Sequence, residues 1–465
     1  MSDQIQFDEF KAGLRGALLE SSDPGYDEAR KVYNGMINKH PRMIVKCADV
    51  ADVIRSVNFA RDNGLLLAVR GGGHSVSGMG VCNDGLVIDL SRMNYTRVDL
   101  SAKTVVAGGG CTLADVDHAT HVFGMATPSG IFGLTGVGGL TLGGGFGHFT
   151  RKYGLAIDNL LSVDMVLANG TFVTASADQS QDLFWAVRGG GGNFGVITAF
   201  TFRLHPIDTV YAGPILYDIS ESADVLKWYR KLIHEIPDEL SGFFAFLSVP
   251  PVPVFPEHLH LKKVCGVIWT YSGPLEKAEE VFKPIRAFKA PLLDGAGPIP
   301  QPVLQTMFDQ LVPKGFQHYW RADFLKELSD EAIALHVKYG NAMPTPLSSL
   351  HLYPVNGAAS RIPSTATAYN YRDAIWNMVI LGMDPDPANN EKITAWTKEY
   401  WEAVHPYSAG GAYINFLGDE GEDRVRAAYG KNYDRLVTIK NKYDPGNLFR
   451  VNQNIKPSIK AVETV

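Results

Sequence analysis

Leu65-Leu66-Leu67-Ala68-Val69, running directly into Arg70-Gly71-Gly72-Gly73-His74-Ser75, is the stretch on which the reading of this chain turns. A short, wholly apolar run after Gly64 predicts a strand buried on both faces. Three glycines then permit positive φ and close approach of another backbone or a ligand. A strand that delivers an arginine and small residues into a turn presents successive backbone N–H groups, a pattern suited to a pyrophosphate. His74 stands on the rim of that turn, where a ring system attached to the phosphate would reach it. Upstream, Val50, Val53, Ile54 and Val57 recur at helical spacing. Asp49 can cap the start and Gly64 can end it, which predicts a helix over 49–64.

Working outward, short β runs are expected at 86–90 and 104–107, followed by a turn-rich glycine region at 124–147. Residues 163–167 and 171–174 read as strands joined by the tight turn Asn169-Gly170. Residues 182–187 read as a helix and 195–204 as a strand. Gly190, Gly192 and Gly195 match Gly-x-Gly-x-x-Gly. The nucleotide fingerprint requires strand before and helix after, the reverse of this order, so a Rossmann unit is excluded. After His205-Pro206 the glycines thin out and amphipathic helices appear, as at 222–236, 391–404 and 422–442. Residues 250–256 and 291–302 are proline-rich loops, and 348–355 alternates like a sheet strand. The fold class expected is α+β.

Of the 465 residues, 43 are Lys or Arg and 49 Asp or Glu, a formal charge of −6; hydrophobic residues make up 45%. This is ordinary globular composition, which excludes rods, collagen and extensive disorder and leaves room for two or three domains. A mildly acidic chain has no bulk attraction for nucleic acid or an anionic membrane. The 47 glycines are about a tenth of the chain, against ~7% in typical proteins. Cys47, Cys82, Cys111 and Cys265 are widely spaced with no Cys-x-x-Cys pair. Four reduced, buried thiols are expected, with neither a zinc site nor a disulfide framework. No metal site is expected elsewhere. Residues 1–19 are polar and charged, unlike a signal peptide, and no apolar run is long enough to span a membrane. A cytoplasmic protein, monomeric or homodimeric, is the expectation.

Three glycine-centred blocks follow in order: Arg70 to Ser75, Thr135-Gly136-Val-Gly-Gly139-Leu140-Thr141-Leu-Gly-Gly144-Gly145-Phe-Gly147, and Asp182-Leu-Phe-Trp-Ala-Val-Arg-Gly-Gly-Gly-Gly-Asn-Phe-Gly195. With Arg151-Lys-Tyr153-Gly-Leu-Ala-Ile-Asp158-Asn159, Tyr413-Ile-Asn415 and Tyr443-Asp-Pro-Gly-Asn-Leu-Phe-Arg-Val-Asn452-Gln-Asn454, they resemble the berberine-bridge-enzyme-like oxidases. These belong to the vanillyl-alcohol-oxidase / p-cresol-methylhydroxylase superfamily. The bacterial members like 6-hydroxynicotine oxidase are the nearer match. The resemblance implies an FAD-binding domain of two α+β subdomains over 38–207, joined by an N-terminal segment, 1–37. A substrate domain, an antiparallel sheet covered by helices, would occupy 208–415, and 416–465 would return to the FAD domain.

The same resemblance implies that His74 carries a covalent link to the 8α-methyl of the flavin. It places Arg70, Gly71, Gly72, Gly73 and Ser75 around the pyrophosphate, and Gly136, Gly139, Thr141, Gly144 and Gly145 along the dinucleotide. Asp158, Asn159 and Ile197 would lie near the adenosine or ring, and Asn452 and Asn454 would return to the flavin. Gly78, Gly130, Thr135, Leu140, Gly195 and Asn415 complete the implied set. Doubly tethered members carry a cysteine where this chain has Phe132, so a single histidyl tether is expected.

A flavin performs the redox chemistry while the protein supplies orientation and a base. Residues 351 and 353 of Leu350-His351-Leu352-Tyr353 share one strand face, as do 413 and 415 if Tyr413-Ile414-Asn415 is extended. The candidate bases are Tyr413, His351, Tyr353 and Tyr153, in that order. Trp376, Trp396, Tyr400, Trp401 and Tyr369 read as core rather than pocket walls. The function expected is an oxidase acting on an alcohol or amine carbon of a small organic molecule, with O₂ as acceptor and peroxide as product. An aromatic donor suits the composition better than an oligosaccharide. The alternatives are a dehydrogenase of the same fold and a non-catalytic flavin-binding protein.

Overall fold

The computed structural model describes residues 3–458. The decisive strand, Leu67–Arg70, pairs parallel with Leu86–Asp89, which pairs parallel with Met43–Lys46, itself antiparallel to Ala17–Glu20. The helix Val50–Asp62 makes the crossover from Met43–Lys46 to Leu67–Arg70, and the glycine-rich segment 71–85 makes the one to Leu86–Asp89. Asp49 caps it, its side chain accepting from the N–H groups of Ala51 and Asp52. Val53, Val57 and Ala60 form its buried stripe, and Leu86, Val87 and Ile88 are fully buried because both faces of the sheet are covered.

A second, five-stranded antiparallel sheet takes Thr96–Asp99, Thr104–Gly108, Val196–Arg203, Leu160–Val166 and Phe172–Ser176 in that spatial order. Asn169-Gly170 makes the expected turn between Leu160–Val166 and Phe172–Ser176, with Gly170 at φ +82°. The helix Gln181–Val187 precedes the strand Val196–Arg203, the order that excluded a Rossmann unit.

An eight-stranded antiparallel sheet spans Thr209 to Asp384. Its strands alternate faces with period two. Leu350, Leu352, Trp376, Met378, Ile380 and Trp269 point into a core closed by Ser222–Leu232, Ala278–Phe288, Asp330–Asn341 and Asn390–Val404. Trp396 and Tyr400 belong to the same core. Residues one step away along the strands, His351, Tyr353, Val379 and Ile268, turn to the opposite face, toward the glycine loops.

Expected elements differ in three places. Residues 291–302 are not a loop throughout: Leu293–Asp294 and Gly297–Pro300 pair antiparallel with Thr209–Asp218, because their unpaired edges find that strand's free side. Residues 413–416 are not extended: Ile414–Phe416 is a single 3₁₀ turn, closed by the Phe416 N–H donating to Tyr413 O at 2.9 Å. The helix expected over 422–442 is two, Glu422–Tyr429 and Tyr433–Tyr443. Gly430 takes φ +51° between them, and Asn432 Nδ2 donates to the carbonyls of Ser364, Thr367 and Ala368. These bonds hold the chain off the helical path. The four cysteines are all buried and free. No helix among the described residues is long and apolar enough to cross a membrane.

Burial holds the imidazoles of His148, His318, His336 and His351 neutral down to about pH 3. In the unfolded chain each takes up a proton near pH 6.5. The unfolded state therefore binds more protons, and stability falls as pH drops below 6.5. Asp117 acts in the opposite sense, its carboxyl pushed up to about 7 by burial, but contributes one proton against four. Together these groups give a slope of at most roughly 4 kcal/mol per pH unit near pH 5. Melting followed by circular dichroism should show Tm falling steeply from pH 6.5 to 4.5; a flat profile would contradict the buried neutral histidines.

Candidate functional site

A cavity of about 1030 Å³ separates the glycine loops from the open face of the eight-stranded sheet. Its glycine wall is built by two backbones in direct contact. A Cβ added to Gly72 would lie 2.4 Å from Gly136 N, and one added to Gly136 would lie 2.3 Å from Gly72 N. The N–H groups of Gly72, Gly73, His74 and Ser75 donate to no other protein group among the described residues. Arg70 is buried and ion-paired to Asp89 through Nη2 at 2.8 Å, while its Nη1 is buried without a partner. Free N–H groups beside a buried guanidinium suit an anionic diphosphate.

His74 closes this wall. Its ring stacks on Tyr33 with centroids 3.8 Å apart and lies 5.8 Å from Phe132. Its Nε2 is buried with no hydrogen-bond partner, and burial lowers its pKa to about 4. The ring is therefore neutral at physiological pH, with no polar group among the described residues satisfying Nε2. Tyr33 gave no recognisable signal in the sequence. It is positioned by donating its N–H to Gly73 O at 2.9 Å and its hydroxyl to Val312 O at 2.8 Å. Phe132 packs on Phe308, with ring centroids 5.7 Å apart.

The second polar group belongs to Tyr413. Its hydroxyl oxygen accepts from Gly145 N at 3.0 Å and from Asn415 Nδ2 at 2.8 Å. Gly145 adopts φ +73°, which aims its N–H at the phenol and favours glycine there. Asn415 also donates to Leu140 O at 3.1 Å, tying the 3₁₀ turn to the glycine-rich helix Val137–Leu142. Burial raises the Tyr413 pKa, and the two N–H donors oppose that rise. Across the sheet face, Tyr353 and His351 form a pair, hydroxyl to Nδ1 at 2.7 Å. Burial lowers the His351 pKa to about 3 and raises that of Tyr353. The neutral imidazole and the phenol thus share one hydrogen bond, with the proton remaining between neutral partners. Phe146, Phe243 and Phe416 pack around these groups.

Of the residues nominated from sequence, Arg70, Gly71, Gly72, Gly73, His74, Ser75, Gly130, Thr135, Gly136, Gly139, Leu140, Gly195, Ile197, His351, Tyr353, Tyr413, Asn415 and Asn452 line the cavity. The others lie elsewhere. Tyr153 ends a short helix, stacks on His205 at 3.9 Å and packs toward Phe149 and Ile207, away from the cavity. Asp158 makes a two-point ion pair with Arg372, both contacts at 2.7 Å. Asn159 donates to the carbonyls of Tyr153 and Leu155 and meets His205 Nε2 at 2.7 Å. Both are structural ties, their polar atoms spent on neighbours. Thr141, Gly144 and Gly145 sit behind the wall, and Gly78 packs on Ile37. Asn454 lies off the cavity, its Oδ1 buried without a partner.

Residues 41–176 match the family described as FAD binding domain, and residues 412–456 match the family described as berberine and berberine like. An FAD-linked oxidoreductase of Dictyostelium discoideum is 32% identical, covering 97% of this chain and 96% of its own length. The FAD-linked oxidoreductase pgmH of Aspergillus terreus is 34% identical, covering 94% of this chain and 93% of its own. The solved structure of 6-hydroxy-D-nicotine oxidase from Arthrobacter nicotinovorans superimposes with a TM-score of 0.85 at 26% identity, covering 95% of this chain and 98% of that one.

The contact between Gly72 and Gly136 leaves no room for a methyl group on either side. Gly72→Ala or Gly136→Ala should cost roughly 1–3 kcal/mol through forced displacement of backbone and lower the flavin content of purified protein. Unchanged Tm and flavin absorbance in both variants would refute the glycine wall.

Proposed function

The chain belongs to the berberine-bridge-enzyme-like FAD-linked oxidoreductases, and from that premise we propose an oxidase whose FAD is held covalently through His74 alone. It acts on an alcohol or amine carbon of a small organic molecule and uses O₂ as acceptor, giving H₂O₂. The observation that carries this reading is the pair of polar groups the cavity brings together. One is a buried, unpartnered Nε2 on the glycine wall; the other is a phenol oxygen held by two N–H donors.

The donor set fits FAD. The N–H groups of Gly72 to Ser75 and the spare Nη1 of Arg70 would hold the pyrophosphate, and the unpartnered Oδ1 of Asn452 faces the same cavity. Bound FAD supplies a two-electron acceptor for the donor hydride and a route for those electrons to O₂. The protein's own task is the proton. Gly145 and Asn415 both donate to Tyr413 and so offset part of the burial that disfavours its phenolate, the form that would accept a proton from the donor O–H or N–H. Phe146 and Phe416 pack on the Tyr413 ring with centroids 4.7 and 5.1 Å away. Phe132 supplies no sulfur, which supports one tether.

Acid precipitation of the purified protein should leave the yellow colour in the pellet, and His74→Ala should release all of it. Flavin retained in that variant would mean a second anchor. Tyr413→Phe should slow anaerobic flavin reduction ~10²-fold or more. An unchanged rate would pass the role to the Tyr353–His351 pair. Readmitting air to the reduced protein separates oxidase from dehydrogenase, slow reoxidation favouring the latter.

A further inference from the structure

We propose that the donor is an uncharged molecule with an extended apolar tail. The tail lies across the open face of the eight-stranded sheet, from the His351–Tyr353 pair to an apolar mouth at Val254 and Val303. This deepens the reading above and rests on the cavity being the oxidative site.

The strand register lays out the path. Pro214 pairs with Ile268 and Ile268 with Phe243, all on the cavity face. The Phe243 ring lies 4.8 Å from Tyr353 and 5.1 Å from His351. Two residues beyond Pro214 on the same strand, Leu216 pairs with Leu293 of the short edge strand Leu293–Asp294. An apolar floor therefore continues from the reacting groups to the sheet edge. There the cavity lining reaches the surface, with Val254 79% and Val303 51% exposed. Val254 sits on a loop closed at its base by two backbone bonds between Val249 and its neighbours Leu261 and Lys262. Apolar side chains held out at the rim of a deep apolar cavity mark a binding groove.

Charge decides the chemistry of the tail. Among the described residues that line the cavity, Arg70 alone is permanently charged, and it is paired to Asp89 on the glycine wall. The polar groups near the mouth, Ser248, Thr306 and Gln310, are neutral. A carboxylate or ammonium on the tail would lose its hydration with no counter-ion to replace it. A row of sugar hydroxyls would meet Ile268, Phe243 and Leu216 with few partners.

The test titrates 4-methyl-, 4-butyl- and 4-octylbenzamide into the holoenzyme by calorimetry. These neutral probes have no oxidisable alcohol, so binding is read without turnover. Affinity should rise about three- to fourfold per added methylene. Replacing the terminal methyl of the butyl probe by carboxylate or ammonium should weaken binding at least tenfold. Val303→Asp and Val254→Asp should each weaken the octyl probe at least tenfold more than the methyl probe. Affinity independent of chain length, charged tails that bind as well as neutral ones, or variants that affect all probes equally would overturn the channel. If the series behaves as expected while no donor ever bleaches the flavin, the oxidase reading fails and the channel stands.

Discussion

Everything in this site depends on two backbones touching. Gly72 and Gly136 come from separate loops, one after the strand Leu67–Arg70 and one leading into the helix Val137–Leu142. With no Cβ between them, the loops make a wall whose inner surface is peptide rather than side chain. That surface leaves the N–H groups of Gly72 to Ser75 without internal partners, a costly arrangement unless a ligand accepts from them. The same contact sets where His74 stands, since its ring is the first bulky group after the glycines. Tyr33 then presses against it at 3.8 Å and limits its rotation.

The opposite end of the chain is brought back to this wall by a buried ion pair. Lys440 Nζ donates to Asp444 at 2.7 Å, to Asn193 O at 2.8 Å and to Phe449 O at 2.9 Å. Asp444 accepts in turn from the N–H groups of Leu448 and Phe449. A buried pair repays its desolvation only when its remaining hydrogen-bonding capacity is used in this way. Asn193 extends the tie, donating to Gly190 O and Gln453 O and accepting from Ile455 N. The glycine run at 189–192 and the Asp444-Pro-Gly-Asn-Leu-Phe motif are thus two halves of one clasp, and Asn452 reaches the cavity because the clasp holds.

The eight-stranded sheet serves two environments at once. One face packs Trp269, Trp376 and Phe244 against helices, while the other presents His351, Tyr353, Phe243 and Ile268 to the cavity. A one-residue slip in register would exchange the two sets, burying the polar pair under helices and exposing the core. The nine-residue pairing of Gln317–Leu325 with Trp376–Asp384 and of Leu240–Ser248 with Lys263–Tyr271 guards against that slip.

Much of this was legible in the residues themselves. The apolar run before Arg70, the glycine blocks, the alternation at 348–355 and the reversed order around Gly195 carry local physics: burial, turn geometry and period. From these came the α+β class, the crossover helix, the glycine wall and the His351–Tyr353 face. Contacts between distant segments left no such trace. Asp158 and Asn159 sit in a motif that looks cofactor-facing, yet Arg372 and His205, far along the chain, occupy their polar atoms. Tyr413 and Asn415 converge through a 3₁₀ turn where strand alternation was expected, and Tyr33 meets His74 across forty residues. Sequence alone determined which elements form and which faces are apolar, because those follow from spacing along one segment. Only the tertiary structure decided which polar atoms are satisfied by neighbours and which are left facing the cavity, because a hydrogen bond's partner depends on where the rest of the chain comes to lie.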